Sequence, residues 1–179
     1  FRSYKDGTRK HNAYLDDYAF YIMALLDLFE ATYDVNWLKF GIELDKILAK
    51  HYEDQLEGGF YMTSDEHEDL LVREKPFYDS AKPSGNSVTA LNLLRLYKFT
   101  TDSSYLERAN NVFMASYQIL VESPAALSEM SLAIDFYLDN VKEIVIVIPE
   151  NKKDDAQRFM EEYRQTYLPN KVLVVLFEG

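Results

Sequence analysis

Apolar residues recur at spacings of three and four along the first half of the chain, and this spacing predicts helices. Between residues 14 and 32 they form a broad stripe on one side of a helix, typical of a helix that packs against several neighbours. Residues 37–52 predict a second helix. The short link around Asp34 makes the two an antiparallel helical hairpin. The apolar positions of the first helix are Leu15, Tyr18, Ala19, Ile22, Leu25, Leu26 and Phe29.

A second helical hairpin repeats the first. Residues 84–99 and 104–121 predict a third and a fourth helix, and a fifth begins near Pro124 and ends near Leu138. Asp34 and Asp102 lie 68 residues apart, and both turns share the pattern Thr-x-Asp-x-x-aromatic-Leu. We expect each Asp to cap the helix that follows it. Repeated helical hairpins indicate a solenoid or a closed toroid.

The predicted hairpins are too few to close a ring, so residues 1–140 are expected to form part of an (α/α) toroid. Such a segment should expose apolar faces unless it pairs with itself or with further sequence. The first residues are polar and contain no signal segment. Because the chain also lacks an initiator Met, we expect it to be part of a longer protein.

Two other regions predict strands. Gly58 and Gly59 end the second helix, and residues 60–63 and 70–73 predict a short β-hairpin insertion. Residues 141–179 predict a separate tail, in which an apolar strand at 143–149 is followed by a helix at 153–167 and a strand at 172–177. Short joints between these elements favour a parallel β-α-β unit. The fold class is therefore mainly α, with a β-α-β tail.

Composition excludes several functions. The net charge of −11 repels phosphate, so neither nucleic acid nor an anionic membrane is an expected partner. The absence of Cys excludes disulfides, thiolate metal sites and a cysteine nucleophile, and is compatible with a cytoplasmic protein. Fourteen Tyr and eleven Phe could stack on sugar rings, although packing between helices is the favoured interpretation.

The start of the first helix contains the strongest candidate chemistry. In a toroid of hairpins the inner helices begin at one rim, where their N-termini gather polar groups around a cavity. Asp16 and Asp17 are adjacent carboxylates at such a position, and Tyr18 follows them. We predict Asp16 and Asp17 as catalytic residues, with Asp17 the favoured general base. Alternatively, one caps the helix and the other interacts with its dipole.

The other candidate residues are predicted to bind substrate at the same rim. Ser84 and Asn86 begin the third helix and lie at positions equivalent to Asp16 and Tyr18 in the repeat. Capping of that helix explains them equally well. Arg73 and Asp79 reach the rim through the β insertion, and Arg73 could bind an anionic group. We predict no cofactor and no metal, because the acidic residues around His67 are typical of a solvated loop.

Four strings together resemble one known family. They are residues 15–20 (LDDYAF), residues 58–61 (GGFY), residues 71–73 (LVR) followed by Lys75 and Asp79, and residues 83–87 (PSGNS). In order and spacing they are similar to the YyaL-type thioredoxin-domain-containing protein family, which includes spermatogenesis-associated thioredoxin-like proteins. The likeness extends through the tail. Ser80 departs from it, standing where that family usually has Gly.

The resemblance implies a thioredoxin-like domain outside this chain. It also implies an (α/α)6 toroid like those of N-acylglucosamine 2-epimerases and six-hairpin glycosidases, of which this chain would be the later part. The expected function is that of a carbohydrate-active enzyme, either a sugar epimerase or isomerase or a glycosidase-like hydrolase. The alternative is a non-catalytic scaffold or interaction module beside a redox domain. Expected partners are a carbohydrate, the missing hairpins and thioredoxin-like domain, or a second copy.

Overall fold

The computed structural model describes residues 1–67, 71–149 and 152–178 and is mainly helical, as the sequence predicts. A β-hairpin of β1 (Ser3–Lys5) and β2 (Thr8–Lys10) precedes the helices. The tail contains β3 (Lys142–Pro149), α6 (Lys153–Gln165) and β4 (Lys171–Glu178). Between them lie α1 (Leu15–Thr32), α2 (Val35–His51), α3 (Gly85–Thr100), α4 (Ser103–Glu122), a 3₁₀ turn (Pro124–Leu127) and α5 (Ser128–Leu138).

Helices α1, α3 and α5 pack side by side in one row, with α2 packed on α1 and α4 on α3. The N-terminus of α3 touches that of α1, because Gly85 lies against Leu15 and Asp16. The Asp79 carboxylate accepts hydrogen bonds from the backbone N–H groups of Ser84 and Glu129, so α3 and α5 also begin side by side. The three helices of the row therefore start at the same end.

The two turns between paired helices are copies of each other, which confirms the predicted repeat. Asp34 accepts a hydrogen bond from the Asn36 N–H at 2.9 Å, and Asp102 accepts one from the Ser104 N–H at 3.0 Å. The residue before each Asp has a left-handed backbone conformation, with φ of 64° at position 33 and 59° at position 101. Each Asp satisfies a free N–H at the start of the outgoing helix.

The main core lies between the two layers of helices. Its largest fully buried side chains come from every helix of the row and from α2. Burial of each large aliphatic side chain stabilises the fold by about 1.5–3 kcal/mol. Because α3 has neighbours on three sides, even its polar residues are buried. The core includes Leu15, Ile22, Leu26, Leu48, Leu93, Leu96, Met130 and Phe136.

The sequence predicted a β-hairpin insertion at residues 60–63 and 70–73, and this prediction is wrong for the residues that the structure describes. Leu70 lies outside them. Phe60 makes one isolated antiparallel bridge to Glu53 rather than entering a strand. The Met62 N–H donates to the Glu74 carbonyl at 2.7 Å. Because the end of α2, the side chain of Asn86 and residue 74 take the backbone hydrogen bonds of this segment, it forms a fixed loop without strands.

The hairpin of β1 and β2 was not predicted. Its turn is Asp6-Gly7, and both residues have positive φ, at 52° and 77°. Asp-Gly is the preferred dipeptide for a two-residue hairpin turn, because both positions need left-handed backbone. That dipeptide is the sequence signal that could have identified it.

The tail is the predicted parallel unit: β3 and β4 pair in parallel along their whole length. One face of the pair packs on α6 through Ile148, Met160 and Val175. The tail also attaches to the helical layers, because Val172 joins the main core and the Leu173 N–H donates to Glu30 at 3.1 Å.

Both flanks of the helical layers expose apolar side chains. At the α1–α2 flank these are Tyr21, Leu28, Phe40 and Ile47, and at the α4–α5 flank Met114, Tyr117, Val121 and Leu132. In the described part of the chain, none of the helices is both long and apolar enough to cross a membrane.

Candidate functional site

A cavity of about 550 Å³ lies at the start of α1, at the end where the row of helices begins. Two walls come from α1 and α2, a third from the loop before α3, and the first residues of the chain cover one side. This volume is within the range of small-molecule sites, roughly 300–1,000 Å³. The lining residues are Phe1, Arg2, Ala13, Asp16, Asp17, Tyr18, Phe20, Tyr21, Leu44 and Lys82.

Asp17 lies in the cavity wall with its side chain 32% exposed. Its Oδ2 accepts a hydrogen bond from the Tyr14 N–H at 2.9 Å, which caps the first turn of α1. Its Oδ1 lies 3.6 Å from Arg2 Nε. The capping interpretation thus describes what Asp17 does in this structure.

Asp16 has one carboxylate oxygen engaged and one without a partner. Oδ2 pairs with the ammonium of Lys82. Oδ1 is buried and accepts no hydrogen bond from any described residue. The side chain as a whole is only 13% exposed. Oδ1 packs against Gly85 at the start of α3, so a ligand in the cavity can approach this carboxylate only on the side of Oδ2.

Aromatic rings form the apolar part of the site. Tyr18 packs against Tyr52 with ring centroids 5.4 Å apart, and the Tyr52 hydroxyl donates to the Ala13 carbonyl at 2.6 Å. Burial, and then the negative charge of Asp17, raise the pKa of Tyr18 above its usual value. Tyr18 is therefore a neutral phenol at physiological pH, able to hydrogen-bond to a ligand hydroxyl.

Ser84 and Asp79 accept hydrogen bonds from backbone N–H groups at the helix N-termini beside the cavity. Ser84 Oγ accepts from the Ser87 N–H at 3.1 Å and caps α3. Asp79 accepts from the Ser84 N–H at 2.7 Å and from the Glu129 N–H at 2.8 Å. Neither residue lines the cavity, so we treat both as groups that hold α3 and α5 in position.

Asn86 is fully buried, with 0% of its surface exposed. Its Oδ1 accepts from the Phe60 N–H at 2.7 Å, and its Nδ2 donates to the Phe60 and Pro76 carbonyls. The amide thus binds the loop that follows α2 to the start of α3. Asn86 lies near the same end of the bundle as Asp16, but its side chain has no room for a substrate.

The Arg73 guanidinium is also engaged in hydrogen bonds to backbone carbonyls. Its guanidinium donates to the Thr63 carbonyl and to the His51 carbonyl, and lies 4.1 Å from the centre of the Tyr61 ring. These contacts anchor the loop at the end of α2, and Arg73 is not among the residues around the cavity. Among the predicted substrate-binding residues, only Tyr18 lines the cavity.

The two cations of the cavity, Arg2 and Lys82, were not identified from the sequence. Arg2 reaches the site because the hairpin of β1 and β2 folds back, with the Arg2 N–H donating to the His11 carbonyl at 2.7 Å. Arg2 also lies over the Tyr14 ring. The Asp-Gly turn was the signal for Arg2, whereas nothing in the local sequence distinguishes Lys82 from other loop lysines.

The remaining buried charges have partners. Arg108 bonds to both oxygens of Asp45 and to Glu53, joining α2 to α4. Lys75 donates to Asp54, and this contact, followed by the Tyr61 hydroxyl, holds the pKa of the Asp54 carboxyl well below its usual range. In the described ranges, which omit residues 68–70 of the acidic turn, no group of His and acidic residues could hold a metal ion.

Similarity to known proteins covers most of this chain. No family model matches it. The chain is 35% identical over 163 residues to spermatogenesis-associated protein 20 of Rattus norvegicus and 34% identical over 175 residues to that of Homo sapiens. These alignments cover 90% and 94% of this chain but 20% and 22% of the relatives.

A third relative is an uncharacterized protein of Caenorhabditis elegans, B0495.5. It is 35% identical over 130 residues, which are 73% of this chain and 18% of that protein. The chain thus spans about a fifth of the length of the curated relatives that it matches.

Proposed function

From its similarity to one fifth of spermatogenesis-associated protein 20, we propose that this chain is a segment of a longer protein of that family. We propose further that the cavity at the start of α1 binds a carbohydrate. The segment then supplies one side of the site of a carbohydrate-active enzyme, of the sugar epimerase, isomerase or glycosidase-like class. Further helical hairpins supply the other side.

The observation that carries this proposal is a cavity in which aromatic rings lie beside the carboxylates of Asp16 and Asp17. A sugar hydroxyl is a donor that suits Asp17 Oδ1, on a side chain that is 32% exposed. The apolar face of a sugar ring packs on an aromatic ring, and Tyr18 and Tyr21 are both available in the wall. Hydroxyl donors together with an apolar ring face are the chemistry that this lining matches.

Within this site, Asp17 is better placed than Asp16 to act on a ligand. Its Oδ2 accepts a hydrogen bond from the Tyr14 N–H, whereas its Oδ1 lies 3.6 Å from Arg2 Nε, beyond hydrogen-bond distance. A general base must lie within hydrogen-bond distance of the proton it removes. We therefore propose that Asp17 contacts the sugar through Oδ1, with Asp16 paired to Lys82 beside it.

The proposed reaction needs groups from outside this chain. A glycosidase uses two carboxylates separated by about 5–9.5 Å around the scissile bond. Asp16 and Asp17 are neighbours on one turn, and Asp17 is held by the cap, so they do not supply such a pair. The exposed apolar α1–α2 flank, with Tyr21 and Phe40, is where a further hairpin would pack and add the second group.

A calorimetric titration of the full-length protein with monosaccharides and disaccharides tests the proposal. We expect at least one sugar to bind, and Asp17→Asn to weaken it about tenfold or more, since a charge-assisted hydrogen bond contributes about 1.5–3 kcal/mol. Glu43→Gln, which changes an exposed acid paired with Lys46, is the matched control and should bind normally. Absence of binding by any sugar would rule the proposal out.

The scaffold alternative is favoured by a different observation. Both flanks of the helical layers expose large apolar side chains, and Arg73 and Asn86 are engaged in holding loops. In that case the cavity is filled in the full-length protein by its own side chains or those of a thioredoxin-like domain. A sugar-independent protein partner, captured on the α1–α2 flank and lost on Phe40→Asp, would favour this function.

A further inference from the structure

Two cations face the cavity beside the two carboxylates, and neither is saturated. Lys82 is 60% exposed and pairs with one oxygen of Asp16. Arg2 is 51% exposed and approaches Asp17 only at 3.6 Å, through Nε. An ammonium carries three N–H donors and a guanidinium five. Most of these donors therefore remain available to a ligand in the cavity.

The carboxylates, by contrast, have less capacity left. Asp16 Oδ2 pairs with Lys82 and its Oδ1 is buried against Gly85, while Asp17 Oδ2 accepts from the Tyr14 N–H. The cavity therefore offers a ligand one accessible acceptor, Asp17 Oδ1, and two groups of cationic donors. A neutral sugar would satisfy the acceptor but would leave the cations bonded mainly to water.

The charge around the entrance favours an anion as well. The first eleven residues contain four basic residues and one acidic residue, whereas the rest of the chain contains fifteen basic and twenty-nine acidic ones. Phe1 and Arg2 of this basic segment, residues 1–11, line one side of the cavity. A local positive field on an acidic protein attracts an anionic ligand to this place in preference to the rest of the surface.

We infer that the site is specific for an anionic sugar, a polyhydroxylated ring carrying a carboxylate or a phosphate. One ring hydroxyl donates to Asp17 Oδ1, and the anionic group pairs with Lys82 and Arg2, which line the same cavity. The inference rests on the proposed function, because it requires that a sugar enters this cavity. Lys82 and Arg2 are the residues that determine specificity for the charge.

The test compares matched ligands on the full-length protein by calorimetry. Glucose, galactose and mannose are each titrated beside their uronates and 6-phosphates, and inorganic phosphate is titrated alone. We expect the charged sugars to bind about tenfold or more tightly than the neutral parent, as a charge-assisted contact implies. This preference should decline as salt is raised, because both cations are about half exposed.

Substitutions then assign the preference to its residues. Lys82→Gln and Arg2→Gln should each lower the ratio of charged to neutral affinity about fivefold or more, and Lys82→Arg should largely retain it. Lys46→Gln, which changes an exposed cation that is not among the residues around the cavity, is the control.

Equal affinity for neutral and charged sugars overturns this inference and leaves the proposed function standing. So does a preference for charge that both Gln variants retain. Inorganic phosphate binding as tightly as a sugar phosphate also overturns it, because the ring would then contribute nothing. If no sugar of either kind binds, the proposed function and the inference fail together.

Discussion

Asp16 lies directly against Gly85, so the first turns of α1 and α3 meet with no side chain between them. A Cβ atom on residue 85 would lie 2.7 Å from Asp16 Oδ1 and 2.6 Å from Leu15 Cγ. Leu15 is fully buried and cannot move aside without disturbing the core. The geometry of the candidate site therefore depends on the absence of a side chain at one position of the neighbouring helix.

Replacement of Gly85 by Ala should consequently destabilise the protein, although Ala is the better helix former. We expect a loss of about 1–3 kcal/mol in the free energy of unfolding, measured in urea, because the added methyl group overpacks the contact. Gly41→Ala is the matched control. Its added Cβ would meet nothing closer than 3.7 Å, so that variant should be neutral or slightly more stable. Equal effects of the two substitutions would contradict the contact.

Asp79 should matter more for stability than an ordinary capping residue, because it caps two helices. Asp102→Ala removes one cap, that of α4, and should cost about 1 kcal/mol. Asp79→Ala removes hydrogen bonds to the starts of both α3 and α5 and should cost about 2 kcal/mol or more. Urea unfolding of both variants measures the difference. A cost for Asp79→Ala no larger than that for Asp102→Ala would show that the double cap is not formed.

The Asp54–Lys75 contact should make the free energy of unfolding depend on pH in the acid range. Lys75, and then Tyr61, lower the pKa of Asp54 in the folded protein below its ordinary value of 3.8. The unfolded chain then binds more protons than the folded one, so the contribution of Asp54 is complete above that pH and is lost as the pH falls further. The stability difference between wild type and Asp54→Asn should be constant near neutrality and shrink below about pH 4.

The control for this pH series is Glu57→Gln, the exposed second partner of Lys75. Its stability difference from wild type should be small at every pH, since an exposed ion pair contributes about 0–1 kcal/mol. A difference between wild type and Asp54→Asn that stays constant through the acid range would contradict the lowered pKa.

Arg108 holds two buried carboxylates, and its removal should be among the most damaging single changes. Asp45 and Glu53 have side chains only 4% and 5% exposed. Arg108→Met would leave both carboxylates buried without their cation, at a cost of about 3–5 kcal/mol in urea unfolding. Lys46→Met breaks an exposed pair and should change stability by less than about 1 kcal/mol. A small effect of Arg108→Met would mean that α2 and α4 are held together mainly by their apolar contacts.

The sequence predicted the elements whose signal is local and periodic. The 3.6-residue pattern identified α1 to α5, and the repeated Thr-x-Asp turns predicted the caps at Asp34 and Asp102. The β-α-β tail followed from two apolar runs separated by a helix. The predicted strand at residues 60–63 failed because Asn86, 26 residues away, takes the hydrogen bonds of Phe60. A short-range sequence pattern carries no information about a hydrogen-bond partner that lies 26 residues away along the chain.

The candidate site was predictable in position but not in detail. The start of α1 was identified because adjacent acids at a helix N-terminus are visible in sequence. Which carboxylate oxygens stay accessible was not visible, because that depends on Lys82, 66 residues beyond Asp16, and on Gly85 in the neighbouring helix. Asn86 and Arg73 have the residue types of binding groups, but the backbone carbonyls they bond to are brought together only by the fold.

A crystal structure of the full-length protein, soaked with the sugar that binds best in solution, tests the central claim most directly. The account predicts that the cavity at the start of α1 remains open when the other hairpins are present. It also predicts a sugar hydroxyl about 2.7–3.2 Å from Asp17 Oδ1. A cavity filled by side chains of the rest of the protein, with the sugar bound elsewhere or not at all, would contradict it.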